Sequence, residues 1–146
     1  MALLDITAFD GTTIVASGRS MVSMSETYPS YTRMGVLENG ALFDADGTAD
    51  ADVSLGQVTA RYKITPSTRG VTALNSGIAV LKGLRGKEGT LTGIERAAAD
   101  VTYTCTARCI DVVQEDISVH NAPPMNKNYY QRAYVTVVWQ KKTEWV

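Results

Sequence analysis

Asp116, Ser118 and His120 lie within one five-residue span, and a carboxylate, a hydroxyl and an imidazole are the groups of a nucleophilic triad. In a triad the imidazole takes the hydroxyl proton while the carboxylate orients the ring, which demands convergence in space and not closeness in sequence. No nucleophile elbow, zincin helix or paired-carboxylate signature accompanies the three. His120 precedes a proline-rich segment and is expected at the surface. The expectation is a chain without catalytic residues, not an enzyme. An enzyme would need Asp116, Ser118 and His120 to meet in a pocket.

Two further sets have metal-binding chemistry. Cys105 and Cys109 stand four residues apart in "VTYTCTARCIDVV". On a strand that spacing is about 13 Å, at roughly 3.3 Å per residue. A disulfide needs Cα atoms within about 7 Å. Zinc asks for further ligands, and His120 is the only histidine. Buried or half-buried free thiols are therefore expected. "DADGTADAD" crowds Asp44, Asp46, Asp50 and Asp52 together. A calcium loop of the EF-hand kind reads Asp-x-Asp-x-Asp-Gly, whereas here Gly47 directly follows the second aspartate. This stretch is read as a solvated acidic loop, and neither a metal nor a cofactor is expected.

"LKGLRGKEGTLTG", residues 81–93, combines recurring glycines with three cations. No Gly-Lys-Ser/Thr follows Gly83, Gly86 and Gly89, and the segment leaves a helical pattern instead of opening one. Phosphate cradles use the helix N-terminus. Lys82, Arg85 and Lys87 instead complement the negative end of a helix, worth about 0.3–1 kcal/mol each. The glycines let a helix stop and a strand begin, leaving a basic rim for an acidic neighbour. Tyr28, Tyr31, Tyr129 and Tyr130 are placed in or beside loops, near Arg33, Lys127 and Arg132. Tyrosine and arginine are favoured at protein interfaces. The candidate subunit-interface residues are thus Tyr28, Tyr31, Arg33, Arg85, Lys87, Tyr129, Tyr130 and Arg132.

Strands must position most of these residues. "DITAFDGTTIVAS" predicts two short strands around a tight Asp10-Gly11 turn. "QVTARYKIT" alternates, with Val58, Ala60, Tyr62 and Ile64 on one face and Thr59, Arg61 and Lys63 on the other. Val101, Tyr103, Cys105 and Ala107 share a face, and the apolar parity then shifts at Ile110 and Val112, as a β-bulge at Cys109 would produce. Ala133, Val135, Val137 and Trp139 line one face of the last strand. "SVHNAPPMNKN" is expected to be a loop because of Pro123-Pro124. Leu74, Ile78 and Leu81 keep helical spacing, with Thr72 as the expected N-cap and Gly83 or Gly86 at the end. Residues 24–56 lack clear periodicity and read as a projecting hairpin around Glu38-Asn39-Gly40 followed by the acidic loop.

The 146 residues suit one domain, 1–146, large enough to fold without a disulfide or metal. A formal net charge of −1 gives no bulk attraction to nucleic acid or anionic membrane. The opening "MALLDITAFDG" lacks a secretory pattern, and no window reaches the roughly 20 apolar residues of a membrane span. A soluble protein made in the cytoplasm, with no membrane partner, is expected.

The order of elements, with "AFDG" first and "LKGLRGKEGTLTG" running into "ADVTYTCTARCIDVV", resembles the distal tail proteins of long-tailed bacteriophages. The likeness is to their N-terminal ring-forming domain and, more broadly, to tail-tube proteins. It is carried by Leu81, Leu84, Gly86, Gly89 and Leu91, then by Ala107-Arg108. The resemblance implies a mainly β fold: a β-sandwich or barrel of antiparallel strands flanked by one short α-helix, with a long projecting hairpin. It further implies a structural virion protein, made in the host and forming a hexameric ring that joins tail tube to tail tip. The partners would be copies of the chain, other tail proteins, and DNA passing transiently through the channel. Residues 24–45 would reach onto a neighbour, and Asp44, Asp46, Asp50 and Asp52 would face the lumen, where negative walls do not grip phosphates. With one domain's length, a minimal ring adaptor or the tube protein itself is expected. A monomeric or trimeric binding module, such as a capsid decoration or receptor-binding domain, is the alternative.

Overall fold

The computed structural model describes residues 4–27, 34–36, 42–44, 55–65, 71–97, 99–121 and 129–146. The Asp10-Gly11 turn joins β1 (Leu4–Phe9) to β2 (Thr12–Thr13), with both turn residues at positive φ, 48° and 77°. That is the turn whose twist matches flanking strands. β3 (Arg19–Thr27) follows, and its last four residues fall inside the stretch expected to be loop. β4 (Met34–Val36) and β5 (Leu42–Asp44) pair antiparallel on either side of the predicted Glu38-Asn39-Gly40 turn, which itself lies outside the described residues.

β6 (Gln57–Ile64) buries Val58, Ala60, Tyr62 and Ile64, as its alternation requires. The helix α1 (Val71–Lys82) buries Leu74, Ile78 and Leu81. It begins one residue before Thr72, so the predicted N-cap stands in the first turn, where the Thr72 carbonyl accepts a hydrogen bond from Ser76 Oγ at 2.9 Å. Past Lys82 the chain turns through Gly86 at φ 82°. It then enters β7 (Glu88–Glu95), and β8 (Val101–Asn121) and β9 (Tyr129–Lys141) complete the fold. A Cβ at Gly89 would run into the Asp10 carboxylate, so this glycine admits the β1–β2 turn.

The architecture is mainly β. One antiparallel seven-stranded sheet, in the order β2-β1-β7-β8-β9-β6-β3, carries α1 packed chiefly against β9. The sheet curls but its ladder does not close into a barrel. Where β1 approaches β3, side chains take the place of strand pairing. The Ile6 N–H donates to Met21 Sδ at 3.4 Å, and the Tyr62 hydroxyl donates to the Ile6 carbonyl at 2.8 Å. Inside the curl, Phe9 and Trp139 pack with ring centroids 5.8 Å apart, among Leu4, Ile6, Ile14, Leu81, Leu84 and Leu91.

β8 is the long element. Val101–Arg108 pair with β7, after which Cys109 bonds the turn below it: its carbonyl accepts from Gly86 N–H at 2.8 Å and its N–H donates to Lys87 O at 2.9 Å. The predicted parity shift is present, with the register slipping between Cys109 and Asp111. A second irregularity lies between Gln114 and Ile117. The segment expected to be loop is corrected in part: Ser118–Asn121 continue β8 and pair with Tyr129–Arg132. Cross-strand pairing beyond Ile117 outweighs the turn signal of Pro123-Pro124, which lie outside the described residues.

Candidate functional site

Of the residues singled out for chemistry, the structure describes the two cysteines in full. Cys105 and Cys109 are free, buried thiols. Burial pushes Cys105 up to about 12 and Cys109 up to about 11, so neither is a thiolate nucleophile at neutral pH. Asp116, Ser118 and His120 succeed one another along the backbone of β8. Among the described residues no three His, Cys, Asp or Glu side chains form a group able to hold a metal ion. Asp44 ends β5, while Asp46, Asp50 and Asp52 lie outside the described residues.

The interface candidates do organise around one feature. Arg85 and Lys87 are exposed in the turn that bonds Cys109. Tyr129, Tyr130 and Arg132 belong to β9, the predicted last strand; they pair with Asn121, His120 and Ser118. Tyr28, Tyr31 and Arg33 lie outside the described residues. The two described groups therefore stand at opposite ends of β8 between Ile110 and Ile117. Along this stretch β9 pairs with one side of β8, and no described strand pairs with the other. Ile110 and Val113 are 36% and 46% exposed there, in a strand whose preceding alternate residues are buried. Edge strands are the surfaces on which sheets recruit further strands.

Three charged arrangements frame this edge. On the outer face, Arg61 of β6 forks onto Glu115 of β8, with Nη2 2.7 Å and Nε 3.1 Å from Oε2. Thr136 Oγ1 between them donates to Glu115 Oε1 at 2.9 Å, and the Arg61 guanidinium lies 4.1 Å from the Tyr134 ring centroid. Hydrogen bonds from Arg61 and Thr136 hold the Glu115 carboxyl below its ordinary range. At the lower end, Glu88 bridges Lys142 at 2.9 Å and Arg108 at 3.6 Å, and the Lys142 hydrogen bond lowers its carboxyl likewise. Lys141 is buried against Glu26 of β3, with Glu144 at 3.4 Å. Burial opposes its charge, but the hydrogen bond and charge of Glu26, with Glu144, outweigh that and raise the ammonium above its ordinary range.

Sequence reasoning passed over Lys141, although it continues the buried parity of Ala133, Val135, Val137 and Trp139. The Arg61–Glu115 pair carried no local signal, because its partners are 54 residues apart. No family model, curated protein or solved structure matches this chain.

Proposed function

We propose that this chain is a structural virion subunit of a bacteriophage tail. Copies join into a ring, hexameric by the resemblance, that connects tail tube to tail tip and leaves a channel for DNA. The observation that supports the reading is the outer edge of β8, which no described strand pairs with and which exposes Ile110 and Val113. An open sheet is completed most simply by a strand from another chain, and ring closure hides the edge. In this reading Asp44, Asp46, Asp50 and Asp52 face the lumen.

Native mass spectrometry of the purified protein, with negative-stain images of the same sample, tests the proposal. A discrete oligomer with rotational symmetry and a central hole is the expected result. A monomer at every accessible concentration would remove the ring and favour the binding-module alternative.

A further inference from the structure

We propose that Met21 is a reversible oxidation site, and that converting its thioether to a sulfoxide unlatches β1 from β3. The inference goes beyond the assembly proposed above and does not depend on it. Met21 and Tyr62 face each other across the β3–β6 ladder, and together they clasp one residue of β1. Tyr62 donates to the Ile6 carbonyl at 2.8 Å, and Met21 Sδ accepts from the Ile6 N–H at 3.4 Å.

The two halves of this clasp differ in chemistry. Tyr62 is fully buried, whereas Met21 is only partly buried, packed against the core from its rim. A thioether sulfur is a weak acceptor, and a hydroxyl or an amide would hold the Ile6 N–H better. What the thioether adds is reversible oxidation. With hydrogen peroxide, a sulfur lone pair attacks one oxygen, an S–O bond forms, the O–O bond breaks and the second oxygen leaves as water. Sulfur is oxidised by two electrons and the peroxide is reduced by two.

Both sulfoxide epimers break the clasp. An oxygen added towards Ile6 needs about 2.7–3.2 Å to the nitrogen beyond its own bond to sulfur, and the nitrogen now lies 3.4 Å from sulfur itself. An oxygen added on the other side leaves an electron-poor sulfur that no longer accepts, and sets a polar atom against the core. β1 keeps its pairing with β2 and β7 but loses half of its hold across the seam. Met24, on the same strand and also partly buried against the core, is an internal control: its sulfur takes no hydrogen bond among the described residues.

Hydrogen exchange of the Ile6 amide, read by NMR on the full chain before and after peroxide treatment, tests the proposal. Peptide mass spectrometry assigns which methionine gained oxygen. Cys105 and Cys109 are buried and protonated at neutral pH, with pKa values of about 12 and 11, and do not compete for the oxidant. Oxidation at Met21 should speed Ile6 exchange by about tenfold, the factor that roughly 1.4 kcal/mol gives, while amides of the β8–β9 ladder stay unchanged. The two epimer-specific methionine sulfoxide reductases, added together, should reverse it. Met24→Leu should respond as the native chain does. Met21→Leu, a swap of similar volume, should exchange fast from the start and ignore peroxide. Should that variant fold poorly, the native chain and Met24→Leu still decide the matter. Resistance of Met21 under conditions that oxidise Met24 would overturn the site. Unchanged Ile6 exchange in protein shown to carry Met21 sulfoxide would overturn the clasp, as would a response that disappears in Met24→Leu.

Discussion

Replacing Tyr62 by phenylalanine removes one oxygen atom from the place where β1 meets β3. The Tyr62 ring is fully buried, and its hydroxyl bonds the Ile6 carbonyl, which points away from β7. Tyr62→Phe leaves that carbonyl without this donor, a loss of about 1–3 kcal/mol. With a urea m-value of roughly 2 kcal/mol per molar, 2 kcal/mol lowers the unfolding midpoint by about 1 M. Tryptophan fluorescence suits the assay because Trp139 and Trp145 are both buried.

The pH dependence supplies a second readout. Burial, then the charge of Asp5, raises the Tyr62 pKa well above its ordinary value. A raised folded pKa gives stability that is complete below the unfolded pKa, near 10, and is lost as pH climbs towards the folded value. Between pH 9 and 11 the native protein should lose up to about 1.4 kcal/mol from this group, a loss the phenylalanine variant lacks. The gap between the two proteins should therefore narrow with rising pH. A gap below about 0.5 kcal/mol at pH 7, within ordinary surface-substitution effects, would refute the hydrogen-bond reasoning. A gap constant to pH 11 would refute the ionisation argument.

The buried Lys141–Glu26 pair makes a sharper energetic claim. Lys141→Ala should cost about 3–5 kcal/mol by stranding the Glu26 carboxylate, whereas Lys141→Met with Glu26→Gln should recover most of it in the same urea assay. The raised Lys141 pKa implies stability that is whole below about pH 10.4 and falls as pH rises through the folded value. Alkaline unfolding should therefore be less steep in the double variant. Gly77→Ala pits helix propensity, a gain of about 1 kcal/mol, against a new Cβ only 2.8 Å from the stiff Ile64 Cγ2. Overpacking costs about 1–3 kcal/mol, so a lower melting temperature is expected, and a higher one would show that the core gives way.

Elements with strong alternation were legible in the sequence, for a physical reason: each buries one whole face. β6 and β9 announced themselves through Val58–Ile64 and Ala133–Trp139, and the slip near Cys109 was visible as a change of apolar parity. β3 was not, because "RSMVSMSET" has no fully buried residue and therefore little hydrophobic rhythm. The far end of β8 was hidden for another reason: pairing of His120 with Tyr130 depends on two segments meeting across a turn, which no single-strand pattern records. The free edge itself is a property of unequal strand lengths. It emerges only once β7 is seen to stop at Glu88 while β8 runs on to Asn121.

The sheet order also sets a timetable for synthesis. β1 lies between β2 and β7, and its Leu4 pairs with Glu95, a residue made some 90 positions later. At roughly 5–20 residues per second, the ribosome releases that partner only after several seconds. Until then Leu4, Ile6 and Phe9, all buried in the finished fold, have only the short β2 to pair with. The β7-β8-β9 meander, by contrast, can zip from neighbouring sequence, since early contacts favour short loops. β1 is thus made well before its partner β7 and is among the last strands to dock. Chaperones that shield apolar nascent chain would have a long window on this protein at Leu4–Phe9.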